Sequence, residues 1–69
     1  MADRRVKSVG KRIREIRKEQ GLSQEELAYR AGVDRGYMGK IERGEKNITL
    51  RTIFQLCDAL DADPGELFE

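Results

Sequence analysis

The sequence predicts an all-α fold, and three observations support this prediction. Strong helix formers dominate the 69 residues, and no segment alternates apolar and polar residues with the period of two that a half-buried strand requires. One helix-start pattern recurs along the chain. Gly21, Gly32 and Gly44 stand where helices would end in a left-handed residue. We therefore expect one compact domain of five helices.

The recurring helix start has a polar N-cap residue, an apolar residue just before it and an apolar partner at the fourth helical position. Four places in the sequence fit this pattern: Leu22 and Ser23 with Leu27, Val33 and Asp34 with Met38, Ile48 and Thr49 with Ile53, and Ala62 and Asp63 with Leu67. Glu26 and Glu66 add the acidic residue of a capping box. These starts predict helices over residues 24–31, 35–43, 50–60 and 64–68, after a first helix over residues 8–20.

The predicted core consists of apolar residues that share the inner faces of these helices. They are Val9, Ile13, Ile16, Leu22, Leu27, Ala28, Ala31, Val33, Met38, Ile41, Ile48, Leu50, Ile53, Leu56, Cys57, Leu60 and Leu67. A single cysteine excludes an internal disulfide, and the apolar neighbours of Cys57 favour a core role over a redox role.

Charge is distributed unevenly although the net charge is only +1. Residues 1–20 carry eight Lys or Arg and three acidic residues, whereas residues 47–69 carry one Arg and five acidic residues. This polarity indicates one anion-facing end of the molecule, with ordinary solvated helix faces as the alternative. We expect a flexible basic arm over residues 1–7 and one domain over residues 8–69.

Several classes of function are excluded by what the sequence lacks. It has no histidine, no nucleophile–base pair, no glycine loop that could cradle a phosphate and no cluster of metal ligands. We therefore expect no enzyme, no metal, no cofactor and no small-molecule ligand. No signal peptide and no apolar run of about 18 residues are present, so we expect a cytoplasmic protein without a membrane partner.

A helix-turn-helix is indicated over residues 24–43, because only three residues separate the second and third predicted helices. The segment GLSQEELAYRAGVDRGYMGKIERG, residues 21–44, resembles the lambda-repressor/Cro-like (XRE) helix-turn-helix family, and the similarity extends over residues 8–68. Within it, residues 34–50, DRGYMGKIERGEKNITL, are most similar to controller proteins of restriction–modification systems. The resemblance implies a nucleoid-associated, autoregulatory transcription regulator that binds double-stranded operator DNA as a homodimer.

In this family the third helix enters the major groove, where each base pair shows a distinct pattern of donors and acceptors. The resemblance implies base contacts from Arg35, Gly36, Tyr37 and Lys40. Arg35 is the strongest candidate, because a guanidinium can bond O6 and N7 of guanine together; a phosphate contact is its alternative. Lys40 has base and phosphate contacts as alternatives, and Tyr37 has DNA contact or packing. Gly36 lacks a side chain, so it admits DNA closely without reading it.

Phosphate contacts are implied for residues at the start of the second helix and around the end of the third: Ser23, Gln24, Gly39, Arg43, Lys46 and Asn47. The free N–H groups of a helix N-terminus favour an anion near Gln24. Arg4, Arg5 and Lys7 are candidates for an arm along the DNA, with an untethered tail as the alternative.

The remaining assignments concern protein contacts. In the family the acid that matches Glu42 turns inward and pairs with an arginine of the first helix, which implies a pair with Arg17 here. Related activators use an acid at the position of Glu25 to contact RNA polymerase; stabilisation of the helix dipole is the alternative. Four residues are candidates for the homodimer interface: Ile53, Phe54, Leu60 and Phe68. The rival function is an antitoxin or adaptor module whose main partner is a protein.

Overall fold

The described part of the chain, residues 3–45 and 47–68 of a computed structural model, is helical between its turns. Its elements are α1 (Arg4–Glu19), α2 (Gln24–Ala31), α3 (Arg35–Glu42), α4 (Leu50–Leu60) and a 3₁₀ helix (Pro64–Phe68). No residue of these two ranges lies in a strand, and the predicted all-α class is confirmed. The bounds of α2 and α4 are those predicted, and α3 ends one residue early with Arg43 as its C-cap.

The first helix begins earlier than predicted. Asp3 is its N-cap, and Oδ1 of Asp3 accepts a hydrogen bond from the backbone N–H of Arg5 at 2.7 Å. The helix thus starts four residues before the predicted Ser8, and residues 4–7, which the sequence assigns to a flexible arm, are helical. The reason is that an aspartate N-cap satisfies a free N–H group of the first turn and so stabilises a basic segment as helix.

The last helix is the correct length but of the tighter type. Pro64–Phe68 is a 3₁₀ helix, in which the N–H of Glu66 donates to the carbonyl of Asp63 at 2.9 Å. The carboxylate of Glu66 also accepts from the N–H of Asp63 at 2.7 Å. By contrast, the capping box of α2 is complete, with reciprocal 3.0 Å bonds between Ser23 and Glu26.

The core lies between α1, α2, α3, α4 and the 3₁₀ helix. Its fully buried side chains are Ile13, Leu27, Met38, Ile41, Leu56, Leu60 and Leu67. Cys57 is buried too, and burial raises the pKa of its thiol, as expected for a core residue. Val33 and Ile48 are only partly buried against this core, and the prediction for Leu50 is wrong because its side chain is 67% exposed.

Close packing of α1 on the end of α3 fixes the position of the helix-turn-helix. Gly10 is buried at this contact, where a Cβ atom would collide with the carbonyl oxygen of Ile41 and lie 3.0 Å from that of Glu42. Arg12 of α1 and Gln20, the C-cap of that helix, form hydrogen bonds to the C-terminal part of the fold. Nε of Arg12 donates to the carbonyl of Glu66 at 2.9 Å, and Nε2 of Gln20 donates to that of Leu60 at 2.6 Å.

Candidate nucleic-acid interface

The connection between α2 and α3 is the tight turn that the sequence predicts. Gly32 adopts a left-handed conformation with φ 71°, which ends α2 without the steric cost that a side chain would add. The N–H of Val33 then donates to the carbonyl of Ala28 at 2.9 Å, and Oδ2 of Asp34 accepts from the N–H of Tyr37 at 3.1 Å. The turn therefore presents the first residues of α3 at the surface next to the start of α2.

Arg35 is the first residue of α3, and its side chain is 69% exposed. Its Nε atom lies 3.7 Å from Oε2 of Glu25, the second residue of α2. Exposed ion pairs of this kind contribute little to stability and are readily exchanged for another anion. The pair therefore holds the guanidinium of Arg35 beside the N-terminus of α2 and leaves it accessible.

The other predicted base-reading residues occupy the same helix with different exposure. Gly36 and Lys40 are exposed, whereas Tyr37 is half-buried and packs against the core. The hydroxyl oxygen of Tyr37 lies 3.5 Å from the carbonyl oxygen of Asn47, at the limit of a hydrogen bond. The ring of Tyr37 is thus packed, its hydroxyl lies near the loop that follows α3, and its contact with DNA stays a prediction.

The loop after α3 carries the predicted phosphate-binding residues Arg43 and Asn47, both exposed; Lys46 lies outside the described residues. Nε of Arg43 donates to Oε2 of Glu45 at 2.5 Å, and this carboxylate raises the pKa of Arg43. Nη1 of Arg43 would lie 3.1 Å from a Cβ atom on Gly39. Gly39 is therefore buried beneath the Arg43 side chain rather than open to an anion.

Ser23 and Gln24 stand where α2 begins. The hydroxyl of Ser23 accepts the capping bond, which leaves its proton available to a further acceptor. Gln24 is half-buried, and its Nε2 donates to Oε1 of Glu42 at 3.0 Å. The side chain that the sequence assigns to a phosphate is thus also bonded to the C-terminal turn of α3.

The predicted pair of Arg17 and Glu42 is present and buried, with side chains 8% and 2% exposed. Nε of Arg17 donates to Oε2 of Glu42 at 2.7 Å, and Nη2 donates to Oε1 at 3.0 Å. Nη1 of Arg17 donates to the carbonyl of Leu22 at 2.8 Å. Such a bidentate pair fixes both partners geometrically, so it joins α1, the start of α2 and the end of α3 into one unit.

An apolar surface includes side chains of α4, of the 3₁₀ helix and of the first turn of α1. Leu50, Phe54 and Phe68 are 67%, 52% and 61% exposed, and a groove of about 460 Å³ beside Phe68 is lined by Val6, Ile48 and Ile53 among others. We call Leu50, Phe54, Phe68 and this groove the apolar surface.

The predicted dimer interface needs one correction. Leu60 is fully buried in the core, so it offers no surface to a partner. Its side chain faces inward from α4, which packs on α2 and the 3₁₀ helix. Ile53 is 7% exposed and lines the groove, whereas Phe54 and Phe68 expose large areas.

Three contributors to this region were missed by sequence reasoning. Leu50 shares the periodicity of the buried residues of α4, so its pattern alone places it in the core. Glu45 pairs with Arg43 two residues away, and this short spacing of opposite charges was a usable signal. Gly10 interrupts the apolar face of α1, and a glycine inside a helix is itself a signal of close packing.

Comparison with known proteins agrees with this geometry. Residues 13–67 match the helix-turn-helix family HTH_3. The chain belongs to this family.

Three relatives illustrate the similarity. The control protein C.BamHI from Bacillus amyloliquefaciens is 36% identical over 61 residues, which are 87% of this chain and 75% of that protein. The restriction–modification controller protein C.AhdI from Aeromonas hydrophila has a crystal structure with 49% identity and a TM-score of 0.89, covering 91% of this chain and 96% of that one. The biofilm regulator SinR in complex with DNA gives 35% identity and a TM-score of 0.84, covering 88% and 98%.

This HTH_3 protein is a DNA-binding transcriptional regulator and not an enzyme, because its family and its relatives are regulators of that type. The predicted class and the predicted similarity to controller proteins are confirmed. None of the helices described in residues 3–45 and 47–68 is long and apolar enough to cross a membrane.

Proposed function

We propose that the chain is a controller-type autoregulator that binds an operator of two half-sites as a homodimer, with α3 in the major groove. The exposed start of α3 carries this proposal: Arg35 projects from the first turn of a helix that the buried Arg17–Glu42 pair fixes in position. In helix-turn-helix proteins the N-terminal residues of the recognition helix contact base edges. The similarity to C.AhdI and C.BamHI favours the controller type.

Phosphate contacts flank this helix in the proposal. Gln24 and the free N–H groups of α2 contact one backbone, and Arg43 and Asn47 contact phosphates after exchange of Glu45 for DNA. Such contacts set the register of the protein on the duplex without reading sequence. The proposed place of action is the cytoplasm, on the DNA that the regulator binds.

Replacement of Arg35 by alanine tests the base-reading assignment. We expect Arg35→Ala to relax preference at one base pair of each half-site and to cost about 1–3 kcal/mol of operator binding, because a bidentate contact to guanine is lost. Titration against a panel of single-base operator variants measures this effect.

Arg43→Ala is the matched control for that experiment, since it removes the same side chain from the loop after α3. It is expected to weaken binding to every operator variant alike, because a phosphate contact carries no base identity. Unchanged ranking of the operator variants by Arg35→Ala would contradict the base-reading role of Arg35.

The proposed dimer forms through the apolar surface. Leu50 and Phe54 are one turn apart on α4, Phe68 lines the groove together with Ile53 of that helix, and all three are more than half exposed. Exposed apolar surface of this kind often marks a protein interface. A homodimer is the simplest way for one small domain to reach two half-sites, because its two-fold axis matches a palindromic operator.

Phe54→Ser is expected to weaken self-association at least tenfold and to leave the far-ultraviolet circular dichroism spectrum unchanged, because the side chain is exposed in the isolated chain. Sedimentation over a range of concentrations measures the association. Arg30→Ser, an exposed replacement on α2, serves as the control. A wild-type protein that stays monomeric at every concentration would refute the homodimer.

Glu25 remains a proposed contact for RNA polymerase. Its side chain is 76% exposed beside Arg35, so it is accessible to a protein that binds the DNA next to this regulator.

A further inference from the structure

A row of cations follows one side of α1. Their spacing of three, four, three and four residues keeps them within an arc of about 80° on a helix with 3.6 residues per turn. All are exposed: Arg4, Lys7, Lys11, Arg14 and Lys18. We call these five residues the α1 stripe.

The acidic residues of α1 do not neutralise the α1 stripe. Glu15 and Glu19 each lie 3.7 Å from Arg12, and Asp3 pairs with Arg5 at 2.9 Å. Arg5 and Arg12 both lie outside the stripe, so the acids of this helix are turned toward other cations. Within residues 3–45 and 47–68, the stripe residues form no ion pair.

Like charges three and four residues apart repel one another and disfavour the free helix. The arrangement therefore has a cost for the isolated chain, and a bound anion would remove that cost. A stripe of this length, about 21 Å from its first residue to its last at 1.5 Å per residue, exceeds the size of a single phosphate or nucleotide. It matches a linear polyanion, such as duplex DNA with about one charge per 1.7 Å of axis.

The α1 stripe adjoins the proposed DNA-binding residues. A Cβ atom on Gly44 would lie 2.7 Å from Cα of Lys7, so the stem of Lys7 packs on the loop that contains Arg43 and Asn47. At the other end, Lys18 follows Arg17, which bonds the carbonyl of Leu22 just before the start of α2. The stripe thus begins beside the loop after α3, where the proposed function puts phosphates, and ends in the last turn of α1, before the connection to α2.

We propose that the α1 stripe is a further phosphate-binding surface, which contacts the DNA backbone in addition to α2, α3 and the loop after α3. This inference rests on the proposed binding of duplex DNA. It predicts that affinity depends on salt more steeply than the contacts of the helix-turn-helix alone require, because each neutralised phosphate releases counterions.

Single replacements of the stripe by glutamine test the proposal: Lys11→Gln, Arg14→Gln and Lys18→Gln. Each is expected to reduce the slope of log affinity against log salt concentration by about 0.9, and the triple variant by about 2.7. The ranking of operator variants should stay unchanged, because phosphates carry no base identity. Lys7 is left intact because its stem packs on Gly44.

Arg30→Gln is the matched control, since it removes one exposed positive charge outside the stripe and outside the residues assigned to DNA. Its slope should equal that of the wild type, and circular dichroism should report equal helix content in all variants. Slopes that equal the wild-type slope for all three stripe variants, or that fall equally for Arg30→Gln, would overturn the stripe. If the wild type itself does not distinguish operator from random DNA, the proposed function fails instead.

Discussion

Glu42→Gln is expected to lower the free energy of unfolding by about 3–5 kcal/mol, because it leaves the buried guanidinium of Arg17 without a compensating charge. The effect extends beyond one bond, since Glu42 also accepts from Gln24 and thereby holds the start of α2. Urea denaturation followed by circular dichroism measures the change as a shift of the transition midpoint with an unchanged slope.

Two controls make the origin of this loss identifiable. Glu15→Gln is the same replacement at an exposed site of α1 and should change the free energy of unfolding by about 0.5 kcal/mol or less. The double variant Arg17→Met with Glu42→Leu should recover much of the stability, because a buried ion pair can be replaced by apolar side chains of similar volume. A melting temperature unchanged by Glu42→Gln would disprove the structural role of the pair.

Gly10→Ala is expected to destabilise the fold by about 3 kcal/mol, at the upper end of the usual cost of overpacking. The added methyl group would meet two backbone carbonyl oxygens at the end of α3, and backbone cannot move aside as a flexible side chain can. The direction of this change in the free energy of unfolding is informative, because at an exposed helix position the same replacement of glycine by alanine stabilises by about 1 kcal/mol. Thermal unfolding of the purified variant measures the change.

Gly36→Ala provides the matched comparison inside α3. A Cβ atom there would meet only the carboxylate of Asp34, at 3.1 Å, in an exposed first turn. Its unfolding midpoint should therefore equal or exceed that of the wild type. Equal midpoints for Gly10→Ala and Gly36→Ala would mean that α1 does not pack on α3 as closely as described.

Local features of the fold were predictable because each depends on residues that are close together in the sequence. The N-caps Ser23, Asp34 and Thr49 and the bounds of α2 and α4 follow from caps, glycine ends and helical periodicity. The start of α1 was missed although Asp3 is also a good N-cap, because Lys7, at the fourth helical position, is not the apolar partner that the pattern requires. The 3₁₀ form of residues 64–68 depends on packing that sequence spacing does not record.

Less of the candidate site than of the fold was predictable from the residues alone. The buried partner of Glu42 could be assigned only through the resemblance, since Arg17 is one of eight cations in residues 1–20 and 25 residues away. Helical periodicity does not separate Leu50 from Leu60, because both fall in the apolar arc of α4; Leu60 is covered by the rest of the fold, whereas Leu50 is 67% exposed. The pairing of Arg35 with Glu25 likewise depends on the angle between α2 and α3.

The pairing of Arg35 with Glu25 and of Arg43 with Glu45 has a kinetic consequence. Before DNA arrives, two of the arginines that the proposal places against it already have carboxylate partners, so each encounter with DNA must exchange one anion for another. The gain from such an exchange is small on non-operator DNA, and the residence time there is correspondingly short. In the proposed operator complex Arg35 gains a guanine edge in return, so we expect the protein to leave other DNA quickly and to stay where that edge is present.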